Sequence, residues 1–262
     1  MALSVANLSF GYRPETGVLR GVSVSFEPGS FTAVIGPNGA GKSTLLRLLT
    51  GVLRSRTGSV SLDGVPVASI NLRERAKRLA YVAQRPAPAF AFEVREYVSL
   101  GRFAAGEAED GPAIRRALAA VDLSDREHEV FGALSVGQQQ RASLARALAQ
   151  LDLAHPPAGT RVILLDEPVS ALDPLHALQT LEFLKGLATK GLAVVAVLHD
   201  LSLVARHCDR AAVLRDDGTL ASSGPVAQAL APDLLESVFR VTFARAELSN
   251  GSTIVVPSLS GR

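Results

Sequence analysis

The sequence predicts an α/β fold with an antiparallel β-subdomain at its amino terminus and a helical subdomain inserted into its core. Three observations predict it. Short apolar runs that end in glycine or charged residues alternate with helical patterns on both sides of the chain's middle. From about Pro86 to Leu153 strand patterns vanish and helical patterns replace them. The first segments, Leu3–Phe10 and Val18–Phe26, alternate apolar and polar residues like half-buried strands.

The elements of the first part of the chain follow from local signals. "FTAVIG" (31–36) is a β-rich run that ends in glycines, and "KSTLLRLLT" (42–50) after it is helical with Gly51 as its C-cap. "GSVSLDG" (58–64) predicts a strand closed by an Asp-Gly turn, and "RLAYVAQ" (78–84) predicts another strand. These patterns place strands directly before two glycine or polar clusters.

Alternation of strands and helices resumes in the last part of the chain. "RVILLDEP" (161–168) and "LAVVAVLHD" (192–200) are strand patterns, and a helical pattern from Pro174 lies between them. A hairpin over "AAVLRDDGTLASSG" (211–224) and two short helices complete the prediction. We therefore expect a single domain, 1–262. Its α/β core is formed by about 1–85 and 156–262, and 86–155 form the inserted subdomain.

Composition excludes several classes of protein. The 262 residues are 47% apolar and 20% charged, which favours a packed globular protein. The net charge of +2 argues against a dedicated nucleic-acid binder. The single cysteine, Cys208, excludes an internal disulfide, and "LAVVAVL" (192–198) is too short to span a membrane. With no signal-peptide pattern at the start, we expect a soluble cytoplasmic chain that reaches a membrane only through a partner.

The glycine-rich stretch after the third strand predicts a phosphate-binding loop. "GPNGAGKST" has four residues between Gly36 and Gly41, followed by Lys42 and Ser43. Its glycines allow backbone N–H groups to surround an anion, the lysine reaches the β- and γ-phosphates, and the serine ligates Mg²⁺. An ordinary glycine-rich turn is the alternative, and the strand before and helix after argue against it. The predicted ATP-binding residues here are Gly36, Pro37, Asn38, Gly39, Ala40, Gly41, Lys42, Ser43 and Thr44.

Polar residues at the ends of other strands complete a candidate site. Asp166 supports Mg²⁺, and Glu167 polarises the water that attacks the γ-phosphate. His199 lies at the edge where open α/β sheets bind ligands, which favours a contact with the γ-phosphate. Gln84 binds Mg²⁺ or the attacking water, so Ser43, Gln84 and Asp166 are the predicted metal ligands. For each of these residues a structural role in a turn, a core or a surface is the alternative.

Two further stretches predict contacts with the nucleotide. "LSVGQ" (134–138) resembles a helix start that holds an anion: Ser135 can cap the helix, Gly137 admits close approach, and Gln138 lies in the first turn. Tyr12, between the first two strands, is placed to stack on a base, although an ordinary turn tyrosine would read the same way.

In this order the motifs resemble the nucleotide-binding subunit of ATP-binding-cassette (ABC) transporters over essentially the whole chain. The matching features are Tyr12 as the adenine-stacking aromatic, "GPNGAGKST" as Walker A, Gln84 as the Q-loop, "LSVGQ" as the signature, "VILLDE" (162–167) as Walker B, "SALD" (170–173) as the D-loop and His199 as the switch histidine. The resemblance implies a homodimer in which each signature caps ATP bound to the other subunit. Val136 replaces the glycine usual in the signature, so altered affinity or closure is expected.

Finer features resemble the importers of haem, iron-siderophores and cobalamin. They are "QRPAPAFAFEVREYVSLGR" (84–102), "APDLLESVFRV" (231–241) and the loop "DLAHPPAGT" (152–160), which is similar to that of haem importers. The resemblance implies a permease partner, a substrate-binding protein without direct contact, and a position on the cytoplasmic face of the inner membrane. Siderophore or cobalamin import remains an alternative cargo. The alternatives are a soluble ABC ATPase and a P-loop kinase or GTPase. A chain with one phosphate loop, a signature and a D-loop matches these classes less well.

Overall fold

The computed structural model describes residues 2–13, 15–84, 88, 90–103, 111–155, 157–247 and 253–258. Three sheets and nine α-helices lie in that part of the chain. The strands are β1 (Leu3–Phe10), β2 (Leu19–Phe26), β3 (Phe31–Ile35), β4 (Thr57–Leu62), β5 (Val65–Pro66), β6 (Leu79–Val82), β7 (Val162–Leu165), β8 (Ala193–Val197), β9 (Arg210–Leu214), β10 (Leu220–Pro225), β11 (Thr242–Glu247) and β12 (Thr253–Ser258). The helices are α1 (Lys42–Leu49), α2 (Leu72–Arg78), α3 (Val94–Phe103), α4 (Gly111–Ala120), α5 (Val136–Leu151), α6 (Pro174–Thr189), α7 (Leu201–His207), α8 (Val226–Ala229) and α9 (Pro232–Phe239).

The central sheet has six strands in the order β10-β9-β3-β8-β7-β6. All neighbours pair in parallel except β10, which pairs antiparallel with β9 as the predicted hairpin. The strands β3, β8, β7 and β6 are therefore adjacent, and their carboxyl ends lie along one edge. Open α/β sheets bind their ligands at this edge.

Alternate residues of the buried strands face two different hydrophobic cores. In β3, Ala33 and Ile35 belong to the core that includes Leu181 of α6, and Val34 belongs to the core that includes Leu45 of α1. Successive side chains of a strand point to opposite faces, so a strand covered on both sides reads as a continuous apolar run. The second core also holds the inner face of the antiparallel sheet β2-β1-β4-β5. The central sheet is thus the middle layer of the domain.

The helices α3, α4 and α5 lie in the stretch where the sequence predicts only helices, and they pack mainly on one another. Tyr97 of α3 and Ser143 of α5 share a hydrogen bond of 3.0 Å between their hydroxyl oxygens. The buried Arg102 of α3 donates from Nη1 to the Ala149 carbonyl at 3.0 Å, and its Nη2 lies 3.7 Å from Asp152 Oδ2. These contacts hold α3 and α5 together. Within the described residues no helix has the length and apolar character needed to cross a membrane.

Two features of the fold were not predicted. Helix α2 has no buried residue, so it lacks the apolar stripe by which a surface helix is recognised. Strands β11 and β12 form a separate antiparallel sheet, with Phe243 and Val255 buried against α7 and α9. The sequence carries a hairpin signal between them, Asn250-Gly251, although these two residues lie outside the described part of the chain. The two predicted short helices are present as α8 and α9, and this unpredicted hairpin follows them.

Candidate nucleotide-binding and catalytic site

The glycine-rich stretch forms a loop between β3 and α1, as predicted. Three of its glycines have positive φ: 150° at Gly36, 85° at Gly39 and 90° at Gly41. A Cβ at Gly36 would lie 2.5 Å from the Leu214 carbonyl oxygen, and one at Gly41 would lie 2.8 Å from a methyl carbon of Leu19. Glycine is therefore required both by backbone conformation and by space. Helix α1 begins at once after this loop, so its first N–H groups face the same space.

Lys42 is the buried cation of the loop. Its Nζ donates 2.8 Å hydrogen bonds to the carbonyl oxygens of Gly36 and Pro37. Burial lowers the pKa of Lys42, and the carboxylates of Glu167 and Asp166 act in the opposite direction. The ammonium group is thus held inside the loop with two carboxylates in its electrostatic environment, where an anionic ligand would stabilise its charged form.

Asp166 follows β7 directly and is buried. Its Oδ1 accepts a 2.9 Å hydrogen bond from Ser43 Oγ, and its Oδ2 accepts one of 3.2 Å from the hydroxyl of Tyr81. The backbone N–H of Asp166 donates to the Val82 carbonyl at 2.9 Å, which continues the pairing of β7 with β6. The side chains of Ser43 and Asp166 are thereby adjacent, and both are oxygen donors of the type that Mg²⁺ takes.

Glu167 is the next residue and has a left-handed backbone, with φ of 51°. A non-glycine residue in this region carries strain that the surroundings must offset, and such residues cluster at functional sites. Its Oε2 accepts from Gln84 Nε2 at 2.6 Å, and its Oε1 lies 2.8 Å from His199 Nε2. The loops after β6, β7 and β8 thus meet at one carboxylate, which is one-fifth exposed.

Tyr12 lies beside the start of α1 and is 57% exposed. Its ring packs edge-on against Phe10, with centroids 5.0 Å apart, and its hydroxyl lies 3.3 Å from Thr44 Oγ1. Hydrogen bonding to Tyr81 and, to a lesser degree, to Tyr12 raises the pKa of Arg47. An exposed aromatic ring fixed next to a phosphate loop can stack on a nucleobase.

The signature stretch begins α5 with a complete capping box. The Gln138 N–H donates to Ser135 Oγ at 3.3 Å, and the Ser135 N–H donates to Gln138 Oε1 at 2.9 Å. Gly137 packs on the D-loop, because a Cβ there would lie 3.1 Å from a methyl carbon of Leu172. Val136 is the first helical residue and has ordinary right-handed geometry, so valine causes no backbone strain here; its side chain is 60% exposed.

The geometry groups the predicted residues into two sets. Ser43, Gln84, Asp166, Glu167 and His199 join the phosphate loop at the carboxyl edge of the central sheet. Ser135, Gly137 and Gln138 instead contact one another and the D-loop on the helical side of the molecule. Sequence reasoning overlooked Tyr81 and Arg47, which adjoin Asp166 and Tyr12. Tyr81 carries a weak signal, since it lies in the strand that ends just before Gln84.

A parallel sheet with a phosphate loop at its carboxyl edge and carboxylates on the adjacent strand defines a nucleoside-triphosphate-binding domain of the P-loop class. The comparison with protein families narrows this class. The family described as "ABC transporter" matches residues 19–170, which is more than half of the chain. The chain belongs to the ABC transporter family.

Individual known proteins that are similar to the chain support the same assignment. The chain is 43% identical to the hemin import ATP-binding protein HmuV of Pseudomonas fluorescens (strain Pf0-1) over 85% of this chain and 86% of that protein. It is 36% identical to the protein of the same name from Bordetella parapertussis, over 100% of this chain and 98% of that one. A solved structure of a putative metal-chelate type ABC transporter in an inward-facing conformation superposes with a TM-score of 0.80 at 27% identity, covering 99% of this chain and 98% of that one.

Proposed function

We propose that the chain is the ATP-hydrolysing subunit of a haem importer, which couples ATP binding and hydrolysis to uptake through a membrane permease. One observation carries the choice of cargo: the chain is similar over nearly its full length to proteins named for hemin import. The metal-chelate transporter with a similar fold agrees with a chelated metal as cargo. Siderophore and cobalamin import are the alternatives that the experiment below separates.

In the proposed mechanism, ATP binds with its base on the exposed face of Tyr12 and its phosphates in the loop from Gly36 to Thr44. The Lys42 ammonium turns from the carbonyls of Gly36 and Pro37 to the β- and γ-phosphates, which replace those carbonyls as its acceptors. Mg²⁺ fits the donor set of Ser43, Asp166 and Gln84, because these supply hydroxyl, carboxylate and amide oxygens. A Mg²⁺ ion held by these residues would neutralise charge on the phosphates.

Glu167 is the proposed general base. A water molecule attacks the γ-phosphorus and gives its proton to the Glu167 carboxylate while the bond from the γ-phosphorus to the β–γ bridging oxygen breaks, so that ADP and phosphate leave. His199 contacts Glu167 Oε1 in this structure and holds the carboxylate on the edge where the γ-phosphate would lie. We propose that His199 also donates a hydrogen bond to the γ-phosphate when nucleotide is bound.

The signature residues complete the site of a second copy. Ser135, Gly137 and Gln138 lie at the start of α5, where backbone N–H groups and the helix dipole favour an anion. The hydrogen bonds of Ser135 and Gln138 are to each other, and Gly137 packs on Leu172. We therefore propose a homodimer with two shared sites. In each copy 1–85 and 156–262 form the nucleotide-binding core, and 86–155 carry the signature.

A groove between α2, α3 and α5 is the proposed docking site for the permease. Its apolar lining is unusually exposed: Val52 is 75%, Leu72 is 70% and Leu100 is 40% exposed. Its charged lining residues are the three arginines 47, 75 and 146, and none of the described lining residues is acidic. A short amphipathic helix with acidic residues would complement this surface. Leu100 and Gly101 of the groove belong to the segment 84–102, of which residues 85–87 and 89 lie outside the described part.

Crosslinking tests the docking site. Single cysteines at Leu72 and Leu100 should crosslink to the co-purified permease, whereas a cysteine at the exposed Val256 on β12 should not. The native Cys208 does not interfere, because it is buried and burial raises the pKa of its thiol. Crosslinks from position 256 alone would place the permease elsewhere. Docking of this kind would hold the chain on the cytoplasmic face of the inner membrane, with the substrate-binding protein out of contact on the other side.

The cargo is tested by iron-limited growth of cells that carry the chain as their single copy of this gene. Wild-type cells should grow on haem as the iron source, and cells with Glu167→Gln should not. Both strains should grow equally on ferrous iron salts. A different result would reassign the cargo to the alternative class. In that result cells with Glu167→Gln still grow on haem but fail on ferric siderophore, or fail on medium that requires cobalamin uptake.

A further inference from the structure

Both oxygens of the Asp166 carboxylate have a side-chain partner. Ser43 Oγ donates to Oδ1 at 2.9 Å, and the Tyr81 hydroxyl donates to Oδ2 at 3.2 Å. Two donors from different elements, α1 and β6, leave the carboxylate little freedom to rotate. Partners of this kind orient the ligands of metal sites and raise their affinity, and their removal typically costs about 10- to 100-fold.

Tyr81 has a second neighbour that leads away from the site. Hydrogen bonding to the Tyr81 hydroxyl raises the pKa of Arg47. Tyr81 can accept from the guanidinium while it donates to the carboxylate, because a phenol has both capacities. Ser43 and Arg47 are four residues apart on α1 and so lie on the same face of that helix. Ser43, Asp166 and Tyr81 are therefore joined by two hydrogen bonds, and Arg47 lies on the face of α1 that carries Ser43.

Tyr81 and Arg47 both border the docking groove. Arg47 and Tyr81 are both lining residues of the groove between α2, α3 and α5, whose volume is about 520 Å³. Arg47 is exposed there, so an acidic group in the groove would compete with Tyr81 for its guanidinium. The Tyr81 hydroxyl thus connects the lining of the groove to the Asp166 carboxylate.

We propose that Tyr81 is a positioning residue that orients Asp166 for the metal, and that Arg47 makes this orientation respond to what fills the docking groove. The proposal deepens the proposed function and rests on it for the role of Asp166 and the occupant of the groove. It explains how a permease contact reaches the nucleotide site without any contact with the nucleotide itself.

The metal affinity of the isolated full-length chain tests the role of Tyr81. Free Mn²⁺ is measured by electron paramagnetic resonance in the presence of a non-hydrolysable ATP analogue. Tyr81→Phe should weaken Mn²⁺ binding about tenfold. The matched control is Tyr97→Phe, which removes a hydroxyl hydrogen bond of 3.0 Å to Ser143 on the helical side and should leave the affinity unchanged. Equal affinities for the two variants would overturn the proposal.

Turnover gives a second readout that a merely structural role would not change. With Tyr81→Phe the Mg²⁺ concentration at half-maximal hydrolysis should rise about tenfold, and excess Mg²⁺ should restore kcat, because the carboxylate is misoriented but present. Loss of kcat that excess Mg²⁺ does not restore would contradict a positioning role.

A double-mutant cycle tests the link to the groove. Arg47→Met should weaken Mn²⁺ binding in the wild-type background and have no further effect beside Tyr81→Phe, since residues of one network are not additive. Arg75→Met is the control, because Arg75 lines the same groove and donates to the Val67 carbonyl. Additive effects of Arg47→Met and Tyr81→Phe would overturn the link. These affinities need no permease, so their failure and a failure to import haem are separate results.

Discussion

Glu167 Oε1 lies 2.8 Å from His199 Nε2, although the two residues end different strands, β7 and β8. The other oxygen of Glu167 accepts from Gln84 at 2.6 Å. Each oxygen of the proposed base therefore has one side-chain partner in this structure. Because each carboxylate oxygen has two lone pairs, a water molecule can still donate to Glu167 while Gln84 and His199 fix the direction of its carboxylate.

The first prediction concerns the base itself. Glu167→Gln removes the proton acceptor but keeps the side chain's shape and its contact with the amide of Gln84 or the ring of His199. Hydrolysis should fall by about 10²- to 10⁴-fold, the usual contribution of a general base, while ATP still binds. Steady-state phosphate release and a nucleotide titration measure the two effects.

A matched change on α9, Glu236→Gln, should keep wild-type turnover, since Glu236 is exposed on a helix that packs on β11. The Glu167→Gln variant should also accumulate as an ATP-dependent dimer in size-exclusion chromatography. Wild-type turnover in that variant would remove Glu167 from the mechanism.

The second prediction concerns the base-stacking role of Tyr12. Tyr12→Ala should raise KM for ATP about tenfold with little change in kcat, because stacking on a base contributes to binding before the chemical step. Tyr12→Phe keeps the ring and its edge-on contact with Phe10, so it should retain most of the wild-type KM. A loss confined to kcat, or equal effects of the two substitutions, would contradict stacking.

The third prediction is a dependence of stability on pH that comes from His207. This side chain is buried at the end of α7; its Nε2 has no hydrogen-bond partner, and Nδ1 lies 3.5 Å from Glu182 Oε1. Burial lowers the pKa of His207, Glu182 acts in the opposite direction, and Arg206 and Lys185 lower it further. Below its ordinary pKa of 6.5 the unfolded chain takes up a proton that the folded chain does not. The free energy of unfolding should therefore fall as pH drops below that value.

Urea unfolding at pH 7.5 and 5.5 measures this effect. His207→Asn should reduce the difference between the two pH values, because the buried titrating group is gone. The same substitution at the exposed His128 is the control and should leave the difference as in the wild type. If His207→Asn and His128→Asn show the same pH dependence, the burial of His207 is not its cause.

A structural feature can be predicted from the sequence when the residues that form it lie close together along the chain. The phosphate loop occupies consecutive residues whose glycines are required by positive φ, so one stretch of sequence carries the whole feature. The hydrogen bond between Tyr81 and Asp166 joins residues 85 positions apart, and no local pattern announces it. Helix α2 escaped prediction because none of its residues is buried. Val136 is the first residue of a helix and has right-handed geometry, so the valine causes no backbone strain, and the altered affinity or closure expected from it stays a prediction.

The last prediction tests whether Ser135 acts on the nucleotide of a second copy. Two variants with different defects are combined. Lys42→Ala removes the cation of the phosphate loop, and Ser135→Asp keeps an N-cap acceptor for α5 but places a carboxylate against the partner's phosphates. Ser135→Arg, which adds bulk and loses the cap, is the second variant at this position. Thermal unfolding checks that each chain folds, since a lost cap costs about 1 kcal/mol.

Each homodimer of these variants has two defective sites. In the mixed dimer one site combines both defects, and the other pairs the intact loop of the Ser135→Asp chain with the intact signature of the Lys42→Ala chain. With Glu167→Gln in both chains to slow hydrolysis, the mixture should trap about one ATP per mixed dimer, which is counted with radiolabelled nucleotide. The separate variants should trap almost none. If Ser135 acted on the nucleotide of its own chain, the mixture would contain no intact site and would trap no more than the separate variants, and the shared-site dimer would be wrong.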